Sequence, residues 1–409
     1  MSSFHTAVIG AGPAGLSAAA ELSSHHSCVL LDEGQEATAR DRDAPRDLLS
    51  GVGGAGLFSD GKHSFFPAAS ALWQLPELRA RERAFERTAA LLARFGVDAG
   101  PLPPAAAAAP VPTESWQAKE YRSIYVPLDA RFQMIDALWR SAFARFCGTR
   151  VLDVQRRDDE LLLEVEREGR RTAITARNLI IAAGRWSPGF IRPWLETKLG
   201  AEYAFSRLEF GVRIETRAAS PLFARLPGVD GKLRYVDPRQ GIEIRTFCTC
   251  RNGEVVLGQA GPLCAYSGRA DGPPSGRSNL GLLVRTADAA LGREIAAALE
   301  QSSPESFALS EWRQKGAARV AHLFGVRGAQ LMTAALAHLT EFCPELAHEP
   351  ARIHAPAIEG VGEYPVVDGA LCAAPGIYIA GDASGRFRGI VAAMISGRYV
   401  AQKIIAGGA

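Results

Sequence analysis

Two glycine-rich stretches have the spacing to hold phosphate. Gly10-Ala11-Gly12-Pro13-Ala14-Gly15 is a GxGxxG run between an apolar segment at residues 5–9 and an alanine-rich one at 14–23. Glycines so placed permit a tight turn and a close backbone approach, and a helix starting there points its amide-rich end at a pyrophosphate. Asp32 closes the next apolar segment, residues 28–31, 22 positions after Gly10. A carboxylate at that point accepts hydrogen bonds from a ribose hydroxyl, and Glu33 is its rival for the role. The second stretch, GVGGAGLFSDGK at 51–62, holds G-x-x-x-x-G-K from 56 to 62, the spacing of a triphosphate-cradling loop. His63 stands where such a loop needs Ser or Thr for magnesium. The flanks disagree as well: a charged segment precedes, and HSFFP, with a proline and two aromatics, follows. Because residues 10–15 already fill the phosphate role, Gly53, Gly54, Ala55 and Gly56 are predicted to bring backbone close to the same dinucleotide. Ser59, Asp60 and Lys62 are then delivered beside its reactive end.

These residues need elements to position them. Residues 5–9 and 28–31 read as buried strands and 14–23 as a helix. Residues 76–95 form an amphipathic pattern, with Leu78, Phe85, Ala89 and Leu92 on one stripe and Gly96 as its stop. GPLPPAAAAAPVPT at 100–113 has polyproline character and reads as a spacer. A helix is predicted over 131–146, then a meander of short strands at 151–155, 161–166 and 172–176. An apolar strand at 178–183 follows and ends at Gly184. Residues 206–262 are strand-rich (EFGVRIE, KLRYVD, GIEIRTFCTC, GEVVLG), and helical patterns return at 288–300 and 328–342. The chain closes on GIYIAGD, SGRFRG and IVAAMISGRYVAQKIIA, a strand, a turn and a helix.

A GxGxxG turn with an acid fits NAD or FAD, and two later segments decide for FAD. LIIAAG, ending at Ala183 and Gly184, follows a meander, as does the strand that passes the dinucleotide in flavoproteins. GIYIAGD places Gly381 and Asp382 at the end of a buried strand. The helix after Gly389, from Ile390 and Val391, would point its positive end at the flavin. The chain resembles the FAD-dependent oxidoreductases of the glutathione-reductase-like superfamily. More narrowly, it resembles a bacterial group of uncharacterised FAD-dependent dehydrogenases. GAGPAG, GVGGAGLFSDGK, AAGRWSPGFIRPWLETKLG at 182–200, FGVRIE with RTFCTC, and YIAGDASGRFRGIVAAMISG at 378–397 carry the match. Residues 63–113 depart from the family pattern. The resemblance implies that Gly10, Gly12, Gly15, Asp32, Gly53, Gly54, Gly184 and Asp382 contact FAD. It also implies that Val151 packs near the adenine. FGVRGA at 324–329 lacks the context of a second fingerprint, so no separate NAD(P)H domain is predicted. The flavin would be reduced by substrate, by NAD(P)H docking transiently, or by a partner reductase.

A dehydrogenase needs a base, and the candidates are His63, His354 and Tyr121. Lys62 reads either as a holder of a substrate carboxylate or water near N5, or as a salt-bridged loop anchor. Arg386 and Arg388 flank the turn after Asp382, where they could meet an anionic substrate or the flavin edge. Lys62, His63 and Arg388 are the catalytic candidates adopted. Cys248 and Cys250 share one face of a strand and read as two small buried apolar side chains, ahead of a redox or metal pair. No metal site is predicted.

Of the 409 residues, 47% are apolar and 22% charged, the balance of a soluble globular chain long enough for two packed domains. Net charge is +2 with arginines scattered, which gives no support to nucleic-acid or membrane-surface binding. The seven cysteines include no C-x-x-C, and neither a leader nor a membrane-length apolar run is read, so a reducing cytoplasm is expected. The fold predicted is α/β: a Rossmann-like FAD-binding domain with parallel sheet and β-meander, built from 1–62, 114–205 and 350–409. A helical and Pro/Ala-rich insert occupies 63–113, and an antiparallel substrate or cap domain 206–349. The function expected is hydride transfer between a small organic substrate and FAD, with roles in secondary metabolism entering by analogy. A flavin monooxygenase using NAD(P)H and O2 is the rival within the class, and a non-catalytic flavin sensor the rival outside it.

Overall fold

A computed structural model describes residues 2–102, 115–226 and 228–407. Its first sheet grows from short apolar runs that have no polar face to offer water. β1 (Ser2–Ile9) pairs in parallel with β2 (Cys28–Leu31) and with the strand Arg170–Ile181. Ala144–Phe146 extends the sheet beyond β2, and Ile377–Ile379 extends it on the other side. The helix α1 (Pro13–Leu22) and the C-terminal helix Ile390–Gly407 pack together on one face, in one core with Leu16, Leu22, Met394 and Ile395. The predicted α/β class with a parallel sheet is therefore observed. Among the described residues, no helix is long and apolar enough to cross a membrane.

Three local predictions change. The strands predicted at 172–176 and 178–183 are one strand, Arg170–Ile181. Its first part pairs with the meander strand Glu160–Arg167, and residues 174–181 run along β1. Arg177, the residue between the two predicted strands, is exposed, and the strand runs through it. The helix predicted over 131–146 is Leu128–Ser141, and Ala144–Phe146 beyond it is a strand too short to show a period. The helix Leu78–Ala93 buries Ala80, Ala84, Phe85, Leu91 and Leu92, whereas Leu78, placed on the predicted stripe, is exposed. That buried face joins the core of the first sheet against the C-terminal helix, so this part of 63–113 is not set apart as an insert. Residues 103–114, most of the Pro/Ala-rich segment, lie outside the described residues.

The second sheet has seven antiparallel strands in the order Glu305–Ala308, Arg352–Pro365, Tyr203–Arg217, Arg277–Thr286, Ile242–Cys250, Lys232–Asp237 and Gln117–Lys119. Two of these come from outside 206–349, so the sheet draws chain across both boundaries predicted for it. In Tyr203–Arg217, Leu208, Phe210, Val212 and Ile214 are buried, in one core with the helices Ala289–Gln301 and Ala321–Phe342. Residues of alternate parity point to the other face. There the same strand carries Arg207, Glu209, Arg213 and Glu215. A sheet with one apolar and one charged face must set the charged face against something that satisfies it.

Candidate functional site at the convergence of two helix N-termini

The turn between β1 and α1 is built by exclusion of side chains. Gly10 has φ +96°, and a Cβ there would stand 2.6 Å from the Ala182 carbonyl oxygen. A Cβ on Gly15 would overlap the Gly10 carbonyl oxygen, and one on Gly397 would overlap that of Ala14. These glycines let α1 sit down on the sheet and let the C-terminal helix cross α1 backbone to backbone. Asp32 braces the turn: its Oδ2 accepts from the Ala11 amide at 2.7 Å and its Oδ1 from the Gly34 amide at 2.9 Å. Burial pushes the Asp32 carboxyl up, and the amides and nearby Arg40 offset this only in part. Each oxygen retains a second lone pair. Glu33, the rival, is exposed.

The second glycine stretch lies over this turn. The Gly53 amide donates to the Ala11 carbonyl at 2.8 Å, and a Cβ on Gly54 would stand 2.9 Å from Gly12 Cα. Residues Gly54–Leu57 make a single helical turn, with Ala55 exposed and Gly56 inside it. At Gly56 a Cβ would lie 3.2 Å from both Pro13 Cγ and Ile390 Cγ1. The first residue of α1 and the first residue of the C-terminal helix therefore meet across Gly56. Both helices point their positive ends at the same place. Bare backbone borders it: a Cβ on Gly184 or Gly389 would touch nothing within 4 Å, and on Gly12 only Gly54 Cα at 3.8 Å. Gly381 follows Ile377–Ile379 at φ +65°, and a Cβ there would lie 2.9 Å from Ala14 Cβ. Val151 is half-buried at the start of the meander, Ala183 is exposed, and Ser59 closes its own turn by donating to the Gly56 carbonyl at 2.9 Å. Glycine backbone facing open space beside two helix N-termini suits a ligand that carries phosphate and a flat ring. The residues present thus fit a dinucleotide.

The predicted catalytic residues fall into two groups. Lys62 is buried, with Nζ 2.9 Å from Asp60 Oδ2, 3.0 Å from Asp230 Oδ1 and 2.6 Å from the Thr249 carbonyl. Burial alone would lower its ammonium, but Asp60 first, then the Cys248 and Cys250 sulfurs and Asp230, hold it well above the ordinary range. This is the geometry of the loop anchor, one of the two roles read for it. Tyr121 joins the same knot by donating to Asp230 Oδ2 at 2.8 Å. His63, the next residue, is 1% exposed, with Nδ1 3.3 Å from the Gly61 carbonyl. A carbonyl only accepts, so Nδ1 carries the proton and Nε2 is an acceptor. Among the described residues Nε2 has no hydrogen-bond partner. Burial, with Arg131 nearby, pulls the imidazole down to about 4, so it is neutral at pH 7. His63 lines a cavity of about 20 Å³ with Pro13, Gly56, Arg131, Ile390 and Met394, at the meeting point of the two helices.

Arg388 belongs to the other group. Its Nε lies 3.0 Å from Asp382 Oδ2 and its Nη1 3.1 Å from Glu209 Oε2 and 3.0 Å from Glu359 Oε2. Glu209 is fully buried among Arg207, Arg245, Arg285 and Arg388. Burial works against its charge, but Arg245, Arg388, Arg285 and Arg207 together hold it well below the usual carboxylate range. Asp382 is thus bound to Arg388 and, at 3.4 Å, to Arg185. Arg386 stacks over Phe387 at 5.4 Å and is not in this cluster. His354 lies on Arg352–Pro365, the second strand of the second sheet, with Nδ1 2.7 Å from Ser306 Oγ and Nε2 3.6 Å from Glu215. Neither candidate base, His354 nor Tyr121, lines the His63 cavity.

Sequence reasoning missed Arg131, Asp230 and Glu209. Arg131, 2% exposed, donates to the carbonyls of Leu57 and Ser59 and pairs with Asp271 at 2.6 Å, fixing the loop that carries His63. Only Glu209 had a local signal: in EFGVRIE the apolar Phe210, Val212 and Ile214 alternate with Glu209, Gly211, Arg213 and Glu215.

Neither a protein-family model nor a curated protein sequence matches the chain. Solved structures do resemble it. AlpK is 15% identical with a TM-score of 0.42, covering 97% of this chain and 60% of its own, so the chain spans 60% of AlpK's length. A geranylgeranyl bacteriochlorophyll reductase-like protein from Thermoplasma acidophilum is 14% identical with a TM-score of 0.45, covering 100% of this chain and 79% of its own. A flavoprotein/dehydrogenase from Cytophaga hutchinsonii is 14% identical with a TM-score of 0.46, covering 99% and 78%.

Proposed function

We propose that the protein is an FAD-dependent oxidoreductase that dehydrogenates or reduces a small organic substrate. The observation that supports this most is the meeting of Pro13 and Ile390 across Gly56, with the bare backbone of Gly12, Gly184 and Gly389 around it. The amides of α1's first turn have no partner within the helix and suit the pyrophosphate. Asp32 keeps lone pairs for a ribose, Val151 suits the adenine end, and Gly53, Gly54, Gly381 and Gly389–Val391 suit the flavin end. When bound, FAD supplies an acceptor for hydride from a substrate carbon, or a donor in the reverse sense.

The chain's own part is positioning and proton handling. His63 Nε2 is the acceptor suited to take a proton at the meeting point of the helices, because the ring is neutral and its other nitrogen is held. Lys62 holds the loop that presents His63, through Asp60 and Asp230. Arg388 positions Asp382 and ties the turn before the C-terminal helix to the second sheet. The test is the visible spectrum of the purified protein, followed anaerobically with candidate substrates, NADH and NADPH. Bleaching by substrate alone fits a dehydrogenase; bleaching by NADPH with O2 uptake and hydroxylated product would move the assignment to the monooxygenase.

A further inference from the structure

Cys248 and Cys250 close the strand Ile242–Cys250 where its register against Arg277–Thr286 is broken. Cys248 takes φ +48°, the left-handed region, which costs a non-glycine residue strain. In this bent stretch Cys248 Sγ lies 3.8 Å from Cys250 Sγ. A disulfide needs about 2 Å, a gap that rotation about both side chains can close.

The surroundings are built for sulfur chemistry. Cys248 donates to Asp60 Oδ2 at 3.0 Å, and Arg213 Nη2 lies 3.8 Å from Cys250 Sγ while donating to the Cys248 carbonyl at 2.8 Å. Lys62 grips the carbonyl of Thr249, the residue between the two cysteines, at 2.6 Å. Gly268 makes the room: a Cβ there would lie 2.6 Å from Cys250 Sγ and overlap Arg213. Cys250 is buried behind and Cys248 is half-buried in front. Three cations (Lys62, Lys232, Arg213) meet two carboxylates (Asp60, Asp230), so a single thiolate balances the cluster. The close contact between the two sulfurs pulls the Cys250 thiol down and pushes Cys248 up, with burial adding to the rise. Asp60 and both sulfurs also lie within 4.8 Å of one another, as metal ligands do, but the Lys62 ammonium sits 2.9 Å from that Asp60 oxygen and repels a dication.

We propose that Cys248 and Cys250 form a redox-active dithiol that exchanges with a small-molecule disulfide. Cys248 gives its proton to Asp60, and its sulfur attacks the external disulfide, forming a mixed disulfide and releasing one thiolate. The Cys250 thiolate then attacks Cys248 Sγ, forming the Cys248–Cys250 bond and releasing the second. One released thiolate takes up the Cys248 proton held on Asp60, and the other takes a proton from water. The protein is oxidised by two electrons and the external disulfide is reduced to two thiols. This inference stands independently of the flavin.

The test holds the full-length protein in graded oxidised and reduced dithiothreitol, quenches with acid, alkylates and digests with trypsin. Cleavage after Arg245 and Arg251 isolates TFCTCR, which carries only these two cysteines. The expected result is loss of both thiols together as an internal disulfide, at a ratio at least ~10-fold more reducing than in the urea-unfolded chain. Asp60→Asn is expected to slow oxidation by oxidised glutathione about tenfold, and Cys250→Ser to stop it at the mixed disulfide. Thiols that stay reduced across the range, or that oxidise as they do in the unfolded chain, overturn the proposal. So does stoichiometric zinc in the purified protein that shields both cysteines from alkylation.

Discussion

Arg388 Nη1 lies 3.1 Å from Glu209 Oε2, joining the turn before the last helix to the centre of the antiparallel sheet. Glu209 is the common partner of four guanidinium groups, so removing its charge leaves like charges facing one another. Glu209→Gln is expected to cost about 3–5 kcal/mol, read from urea unfolding. Glu209→Gln combined with Arg245→Met should recover part of that loss. A single variant as stable as the parent would mean that solvent already screens the cluster.

Lys62 offers a sharper choice between two roles. As an anchor, Lys62→Met leaves Asp60 and Asp230 without their shared cation and is expected to cost about 3–5 kcal/mol. Adding Asp230→Asn should restore a share of it. If Lys62→Met unfolds like the parent and loses only turnover, Lys62 acts on substrate and the anchor role is wrong.

His63 makes a pH-dependent contribution with a definite sign. Its folded value is lowered to about 4, below an ordinary histidine, so the unfolded chain binds a proton that the native state refuses. The stability it contributes is complete above the ordinary histidine range and is lost as pH falls toward 4. Between pH 7 and 5 this amounts to roughly 2 kcal/mol. His63→Asn should flatten the urea midpoint over that interval. An unchanged slope would place the protonated ring in water.

Gly397 tests the crossing of the two helices, since a side chain there overlaps the Ala14 carbonyl. Gly397→Ala is expected to cost about 1–3 kcal/mol or more and to weaken cofactor retention, because the N-termini of both helices move apart. Thermal melts and the colour retained after gel filtration report the two effects separately.

What could be read in the sequence was local. β1, α1 and β2 are apolar runs punctuated by Gly10, Gly12 and Gly15, and the need for a side-chain-free turn is written in those residues alone. Ala144–Phe146 was missed because three residues cannot show a period, and one strand reads as two because the residue between them, Arg177, is charged and exposed. The partners of the candidate site were beyond reach for another reason. Lys62 meets Asp230 across 168 positions and Arg388 meets Glu209 across 179. SDGK and GRFRG announce charged turns, but nothing in either names the carboxylate that will neutralise it.

Whether α1 and the C-terminal helix together hold FAD is decided by the visible absorbance of the purified protein before and after added FAD. A flavin spectrum is expected, with about one FAD per chain released on denaturation, and it should be lost in Gly15→Val while the chain remains folded by circular dichroism. A colourless protein that gains no flavin absorbance from added FAD, and that binds ATP with magnesium through residues 56–62, would contradict it.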